Sequence, residues 1–488
     1  MAPSTNHFAN HPTTKASELD LRNIAIPIPE RFGPGVLPVV PVTERSQGFT
    51  VYDTNTVTPY IQNFNVELQR EIIPNLTMEV RYIGSKGTKL EGTLYLNNPI
   101  VEENGLLDAF RTTVAGGDAP LFDRIFNGLN VPGVGLVNGT TLTGSQALRQ
   151  FSSTRTFVAN GNVQGLADFL NQNSSFTGEV GGLLRRAGLP ENFIVTNPQF
   201  GSRTFGGAAI VGNLNNSTYH SMQVGMTKRL SHGFTNQTTY TWSRAIGTSI
   251  LDPRNRSTKT LQTFQRTQDV RSNGTFELPF GPNRLLLGNA PGWISRLVER
   301  WQLGGIFNWS SGQPLSFTTN STTPNPFQVL PNTSNFPDLV GPLPKSTGKV
   351  TFTARPGGIT YFDGFTRVPD PGRAGITTAQ NLQAANTQSA IADPQGRLVL
   401  TNPGIGKIGT LGQNWIEGPS QISFDANLVK RIRIGEAKEF EIRMDAINVL
   451  NHPNFGNPTM DMNSVNFGVI ALPTTGNRTF TFNARVNF

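Results

Sequence analysis

The chain has 488 residues, enough for two or three ordinary domains or for one large β-barrel. It contains no cysteine, which excludes disulfide bonds and thiolate metal sites, and no run of about eighteen apolar residues, which excludes a membrane-spanning helix. Only 15% of the residues are charged, and glycine (51) and proline (34) are frequent, as in proteins with many strands and turns. The net charge of +8 is spread along the sequence, so we expect no nucleic-acid partner.

The N-terminal segment, residues 1–56, is polar and rich in proline, and we predict that it is irregular loop. Residues 1–23 contain no apolar core and no small-residue cleavage site, so they do not form a secretory signal peptide.

Alternation of apolar and polar residues, which is typical of β-strands, begins at residue 57. Phe64, Val66 and Leu68 share one parity, and the pattern resumes after a short turn at 71–75, which predicts a hairpin. Alternation then disappears between 85 and 216, where only two short helices are suggested, at 106–113 and 164–171. Further alternating segments follow at 222–226, 234–242, 270–280 and 301–309.

The segment 301–309 alternates most regularly and carries a tryptophan at each end. Trp301 and Trp309 are roughly 26 Å apart along an extended strand, or about 20 Å across a bilayer if the strand is tilted by about 40°. This spacing matches the aromatic girdles of a membrane barrel, whereas a soluble β-sandwich gives no reason for it. We predict that Trp301 and Trp309, with Tyr240 and Trp242 of the segment 234–242, lie at the lipid interface.

The C-terminal residues form another group of alternating segments, at 424–428, 440–446 and 480–488, after a second long polar region at 311–420. The last segment has apolar residues on one parity and polar residues on the other, and it ends on an aromatic residue. Its apolar residues are Phe480, Phe482, Ala484, Val486 and Phe488. A strand with one face in lipid and one face in a wet lumen has this pattern.

The connections alternate in length. Long connections, at 85–216, 247–266, 311–420 and 451–477, follow shorter ones in turn. Bacterial outer-membrane barrels have short periplasmic turns, long extracellular loops and an even number of strands. The nine strands counted here predict that further strands precede them, and with the absent signal peptide they suggest a truncated chain.

Several segments, in this order, resemble the barrel of TonB-dependent outer-membrane transporters of the Oar-like branch. They include TPYIQNFNVELQR at 58–70, VRYIGSKG at 80–87, YTWSRA at 240–245, WQLGGI at 301–306 and NVLNHPNFGNP at 448–458.

The resemblance implies an all-β fold, an antiparallel transmembrane β-barrel portion with about 9–12 strands of a 22-stranded barrel, open, in residues 57–488. It implies uptake of an unknown extracellular ligand across the bacterial cell outer membrane, with lipid and the barrel assembly machinery as partners. The plug, carboxypeptidase-regulatory-like domain and TonB-contacting segment of the family are not recognisable, so TonB would act through missing parts. The C-terminal residues from Phe480 to Phe488 resemble the signal that the assembly machinery reads; alternatively they only close the barrel.

The sequence offers little for catalysis, and we expect no enzyme, cofactor or metal site. His7 and His11 lie in a proline-rich segment, and His232 and His452 lie in turns. Charges on the polar parity could line a substrate path or form structural ion pairs, which we favour; they are Glu67, Glu79, Arg81, Glu277, Arg443, Asp445 and Arg485. Three other interpretations stay open: a surface adhesin or porin-like barrel, a non-functional truncated product, and a secreted soluble β-sandwich.

Overall fold

The computed structural model describes residues 45, 47–200, 207–255, 258–282, 284–289, 291–319, 322–327, 335–353, 358–434, 438–471 and 477–487. Most of the predicted N-terminal loop therefore lies outside the described residues, as do His7, His11 and Phe488. In the described part, no helix combines the length and the apolar character required to cross a membrane.

Nine long strands in the described residues form one antiparallel meander, in which each strand pairs with the next. They are β1 (Tyr60–Ile73), β2 (Leu76–Tyr95), β3 (Ala208–Ser231), β4 (Phe234–Thr248), β5 (Gln268–Glu277), β6 (Trp301–Ser310), β7 (Gln421–Arg433), β8 (Glu439–Ile447) and β9 (Thr479–Asn487). The predicted strand count and the all-β class are confirmed. Over the described ranges β1 and β9 are the two edges of an open sheet, as the sequence predicts.

The pairing register sorts the side chains into two continuous faces. Leu428 of β7 stands in an apolar row that crosses six strands, from Phe234 through Phe276, Leu303 and Leu428 to Met444 and Phe482. The neighbouring row contains Thr235, Thr275, Gly304, Asn427, Asp445 and Thr481. Because side chains alternate across a strand, these two rows lie on opposite faces of the sheet.

Tight turns connect the hairpins at one end of the sheet. Between β3 and β4, His232 and Gly233 both have positive φ angles, of 52° and 76°, as a two-residue hairpin turn requires. Asn75 has a φ of 66° in the turn between β1 and β2. The short turn predicted near Gly435 lies outside the described residues.

Two sequence predictions need correction at the other end. β2 and β3 extend to Tyr95 and back to Ala208, so the long connection is 96–207 instead of 85–216. Residues Phe49–Tyr52, predicted as loop, form a strand that pairs in parallel with the start of β3. Glycine and polar residues interrupt the alternation in the extensions of β2 and β3, and the four residues of Phe49–Tyr52 are too few for a period-2 signal.

The long connections contain most of the smaller elements. The helices are α1 (Leu106–Ala115), α2 (Pro120–Phe126), α3 (Gly144–Gln150), α4 (Ser152–Ala159), α5 (Val163–Gln172) and α6 (Gly182–Arg186), with α7 (Gly292–Val298) in the connection between β5 and β6. Short strands lie at Asn130–Val131, Gly135–Leu136, Lys259–Leu261, Pro314–Leu315, Asp338–Leu339, Thr351–Phe352, Ile359–Thr360, Thr366–Pro369, Ser389–Ala392, Leu398–Thr401 and Ile416–Glu417. 3₁₀ turns lie at Pro198–Phe200, Pro371–Gly375 and Ala379–Ala385.

Local capping explains two of these helices. At α3 the Thr143 side chain accepts from the Gln146 backbone, and the Gln146 side chain accepts from the Thr143 backbone. At α5 the Asn162 side chain accepts from the backbone of Gly165 at 2.7 Å. The predicted helices at 106–113 and 164–171 are confirmed as α1 and α5.

The two faces of the sheet predict opposite responses to the same substitution. Ala426→Arg places a guanidinium on the apolar face at the level midway between Trp301 and Trp309, and should lower the free energy of unfolding by about 2–4 kcal/mol. Asn427→Arg, one residue away, faces Asp445 across the polar row and should change it by less than about 1 kcal/mol. Denaturant unfolding in lipid vesicles measures both. Equal losses would contradict the assignment of the two faces.

Candidate functional site: a polar wall beneath a folded cap

The polar face of the sheet carries a set of ion pairs. The Arg81 guanidinium lies 3.0 Å from Glu67 and 2.6 Å from Glu79. Further along, Arg443 lies 2.8 Å from Asp445, and Glu441 lies between Arg431 at 2.9 Å and Arg485 at 3.1 Å. Glu277 pairs with Arg284 at 2.8 Å. All seven charges singled out from the sequence therefore have an ion-pair partner.

The structure places the four aromatic residues predicted at the lipid interface on the other face, at two levels. Tyr240 and Trp309 stand in one cross-strand row through Val270, near the long connections, and Trp242 lies two residues closer to those connections along β4. Trp301 lies at the opposite end of β6. Two aromatic belts, one at each membrane interface, require side chains at two such levels. The contact of these four aromatic side chains with lipid stays a prediction.

The predicted assembly signal occupies the exposed edge strand β9. Phe480, Phe482, Ala484 and Val486 share one face and pair with Ala446, Met444, Ile442 and Phe440 of β8. Phe482 is 72% exposed. The structure thus brings four of the five residues together, and Phe488 lies outside the described range.

The first and longest connection, 96–207, folds around a hydrophobic core of its own. Phe110, Phe122, Leu166 and Leu170 are completely buried among its helices. Residues from the connection 311–420 belong to the same core; they are Ile376, Leu382 and Ile405. Two connections that are far apart in sequence therefore make one packed unit.

A buried arginine joins these two connections. Arg149 of α3 is 1% exposed and donates to the Gln380 side chain at 2.6 Å and to the backbone oxygens of Thr113 and Gly117 at 3.2 and 2.8 Å. Burial lowers the pKa of the Arg149 guanidinium, and Asp118 at 3.4 Å opposes this effect. Since its hydrogen bonds replace water around a buried cation, Arg149 fixes the two segments relative to each other.

A second arginine ties the segment before the sheet to the same unit. Arg45, 3% exposed, pairs with Glu191 at 2.6 Å and also donates to the Asn171 side chain. Burial lowers the pKa of the Arg45 guanidinium, while Glu191 raises it.

A second core links the connection 311–420 with 448–478. Phe317, Phe362 and Phe467 form an aromatic cluster with ring centroids 5.3–6.0 Å apart. Tyr361 beside them donates its hydroxyl to the Glu417 carbonyl at 2.7 Å, and burial raises the pKa of Tyr361 to about 12. We call the three connections 96–207, 311–420 and 448–478 the cap.

The shortest of the long connections, 249–267, is tied to the cap by polar contacts. Arg254 lies 3.1 Å from Glu102, and Asn325 donates to the Leu251 carbonyl at 2.7 Å. All four long connections therefore meet at one end of the sheet, as their alternation in length predicts.

The cap contains a cavity of about 370 Å³ with mixed lining. Two phenylalanine rings 5.7 Å apart stand beside amide and hydroxyl groups; the lining includes Asn130, Phe151, Ser153, Asn173, Ser175 and Phe176. The side-chain oxygen of Asn173 is buried and makes no hydrogen bond to the described residues. A small ligand with both polar groups and an apolar face fits this chemistry. Among the described residues, no cluster of acidic or histidine side chains could hold a metal ion.

The sequence predicts two helices of the cap, α1 and α5, but not its packing, its cavity or its two buried arginines. Arg45 and Arg149 stand in polar, non-periodic stretches and look like surface residues until distant segments fold over them. The capping residues Thr143 and Gln146 are a further local pattern there that could have indicated order.

Removal of the Arg149 guanidinium should loosen the cap without disturbing the sheet. Arg149→Met leaves the Thr113 and Gly117 carbonyls without their charged donor, at a cost of about 2–3 kcal/mol, so amide hydrogen exchange in α1 and α3 should accelerate about 30- to 150-fold. Arg111→Met is the control: the Arg111 side chain is 44% exposed and donates only one hydrogen bond to the second connection, to the Ile405 carbonyl at 3.0 Å, so its loss should cost under about 1 kcal/mol. Unchanged exchange in the Arg149 variant would contradict the role given to this residue.

Comparison with known proteins gives the family. A family model described as "Outer membrane beta barrel domain" matches residues 2–481. Among solved structures, the chain is similar to the outer membrane transporter YddB from Escherichia coli, with 8% identity and a TM-score of 0.31 over 91% of this chain and 34% of that one.

Two further structures are similar at the same low level of identity. One is FpvA from P. aeruginosa in complex with a pyoverdine and iron (8% identity, TM-score 0.29, 88% of this chain and 27% of that one). The other is the siderophore receptor PiuA from Acinetobacter baumannii (10%, 0.16, 88% and 56%). The chain spans about a third of the length of YddB and about a quarter of that of FpvA. The comparison with curated proteins gave no match.

The match over nearly the whole length, the antiparallel meander and its two faces agree with one another. The chain belongs to the outer membrane β-barrel domain family, and it is a transmembrane β-barrel portion of the bacterial outer membrane.

Proposed function

We propose that this chain is the barrel part of a TonB-dependent outer-membrane transporter of the Oar-like branch, which takes up an extracellular ligand. The observation that carries the proposal is the cap: the long connections pack around two hydrophobic cores at one end of the sheet. Ordering more than two hundred loop residues costs conformational entropy, which packed cores offset. A pore that only passes solutes does not need such a surface.

The cap supplies the ligand contact in this proposal. Its cavity combines the rings of Phe151 and Phe176 with the buried side-chain oxygen of Asn173, which has no hydrogen-bond partner in the described part of the chain. Because the cap is folded before the ligand arrives, little ordering free energy is lost on binding. The ion-paired polar face below it then forms the wetted wall past which a polar ligand moves.

Energy coupling and assembly would depend on other proteins. The resemblance implies a plug and a TonB-contacting segment, and we assign coupling to them. We assign recognition by the barrel assembly machinery to the apolar face of β9, from Phe480 to Val486, where the unpaired edge is open to a partner strand.

A surface adhesin is the second candidate, and the same cap favours it. A folded cap that binds a partner without passing it through the barrel needs neither TonB nor a wetted path. The two functions differ in whether loss of the protein leaves a compound in the medium.

Uptake is tested by comparing the compounds that growing cells remove from the medium. A strain without this protein and a strain without TonB should both leave the same compound behind, and the intact gene should restore its removal. If the strain without the protein removes every compound but loses attachment to surfaces, the adhesin function replaces the proposal. If the strain without TonB still removes the compound, the proposal that TonB supplies the energy for uptake is wrong.

The role of the cap is tested in the same assay by a matched pair of substitutions. Leu166→Asp puts a carboxylate into the first core, where Leu166 is completely buried, and should abolish uptake while the barrel stays in the outer membrane. Leu136→Asp is the control, because Leu136 is 58% exposed in the same connection, and uptake should persist. Full uptake by the Leu166→Asp variant would show that transport does not need the folded cap.

A further inference from the structure

The connection between β5 and β6 exposes a group of large apolar residues at the end of the sheet with the short turns. Leu285, Leu286 and Leu287 precede α7, and they are 86%, 46% and 51% exposed. Within and beside α7, Trp293 is 72% and Leu297 is 61% exposed. A short connection in water would not present five such side chains together.

The backbone holds this connection in a defined position. Gly281 donates to the Leu286 carbonyl at 3.0 Å, and Leu286 donates to the Pro279 carbonyl at 2.9 Å. Ser295 and Glu299 donate within α7, to Pro291 and Ser295 carbonyls, at 2.9 and 3.0 Å. The apolar residues therefore stand on an ordered segment.

Two side chains from the apolar face of the sheet hold α7 in place. The Trp301 ring nitrogen donates to the Leu297 carbonyl at 3.0 Å. Lys430 donates to the Arg296 carbonyl at 2.9 Å and also to the Glu299 carbonyl. Trp301 and Lys430 pair across β6 and β7, and both share the parity of Leu303 and Leu428.

These contacts place α7 on the apolar side of the sheet, at the level of the row through Trp301 and Lys430. The leucines before it stand nearer the polar side, because the adjoining Arg284 pairs with Glu277 at 2.8 Å. A cavity of about 600 Å³ at this end is lined by charged residues such as Glu277 and Arg431 and also by Trp301. Trp293 and Leu297 of α7 are therefore the exposed apolar residues that continue the apolar face.

We propose that α7 is a membrane anchor that lies in the headgroup region of the leaflet on the short-turn side. Trp293 and Leu297 enter the acyl boundary, and the exposed Arg296 contacts lipid phosphates. A short helix with tryptophan and leucine on one side and arginine beside them is the composition of an interfacial segment. A lipid surface is the occupant because α7 adjoins the face that this barrel presents to the bilayer.

The anchor explains why this connection is longer than the other turns at its end of the sheet. β1 and β2 are joined by two residues, as are β3 and β4, whereas a longer segment that includes α7 separates β5 from β6. The part of the added length that forms α7 lies beside the apolar face, where a membrane anchor needs it.

The test measures the depth of single labels in a bilayer, and the chain suits it because it contains no cysteine. The full chain is purified from outer membranes as Leu297→Cys, Leu428→Cys or Leu136→Cys, labelled with the fluorophore NBD, and reconstituted into phosphatidylethanolamine–phosphatidylglycerol vesicles. Quenching is measured with lipids spin-labelled near the headgroup (position 5) or near the chain end (position 16), and with aqueous iodide.

The label at 297 should be quenched at least twofold more by the shallow spin label than by the deep one, and weakly by iodide. The label at 428 should be quenched by spin-labelled lipid, and the label at 136 by iodide alone. If the label at 297 behaves like that at 136, the anchor is wrong. If it becomes shielded only after a periplasmic extract is added, a protein covers this surface instead of lipid.

If spin-labelled lipid does not quench the label at 428, both the assignment of the apolar face to lipid and the anchor are wrong. None of these outcomes depends on TonB or on uptake, so the anchor can fail while the proposed function stands.

A substitution gives a second measurement: Leu297→Asp should lower the fraction of folded protein in the outer membrane at least threefold, whereas Val465→Asp, at a site 81% exposed in the cap, should not. Equal fractions for the two variants would also overturn the anchor.

Discussion

Cross-strand register decides which residues of this sheet share a face. Each strand alternates apolar and polar residues, but a face exists only because neighbouring strands pair without a one-residue slip. The row from Phe234 to Phe482 remains apolar across six strands, and the row beside it, through Asn427 and Asp445, remains polar. In a bilayer the same ladder also satisfies the backbone N–H and C=O groups, which lipid cannot do.

This constraint moves the hydrophobic cores out of the sheet. A sheet with one face toward lipid and one toward water has no interior, so Leu303, Phe276 and Met222 remain exposed in the protein itself. The buried residues lie in the long connections, where Phe110 and Phe317 mark the centres of two cores. The cap therefore folds around buried apolar cores, as a domain in water does. Its segments meet because the long connections all leave the sheet at the end opposite the tight turns.

Sequence alone predicts the features of this chain that repeat along a strand or depend on a few neighbouring residues. Alternation identifies the nine strands and the parity of residues such as Leu303 and Phe480, and the His232–Gly233 turn follows from composition. It misses the extension of β2 to Tyr95, where glycine and polar residues interrupt the alternation, and the parallel strand Phe49–Tyr52, which has only four residues.

The candidate site is predicted less well than the sheet. Arg149 reaches Gln380 across more than two hundred residues of sequence, and contacts of that range leave no local pattern. The same holds for α7, whose exposed Trp293 and Leu297 become meaningful only when Trp301 and Lys430 place them on the apolar side. The paired charges of the polar face, by contrast, follow from parity and proximity along the strands.

One face of the sheet contacts lipid, and the other contacts water. Cysteine accessibility along β7 in intact outer membranes, measured one substitution at a time from Ile422 to Leu428, distinguishes the two faces. We expect a charged aqueous maleimide to label 423, 425 and 427 and to spare 422, 424, 426 and 428. Labelling that is uniform along β7, or alternates with the opposite parity, would contradict this assignment of the faces.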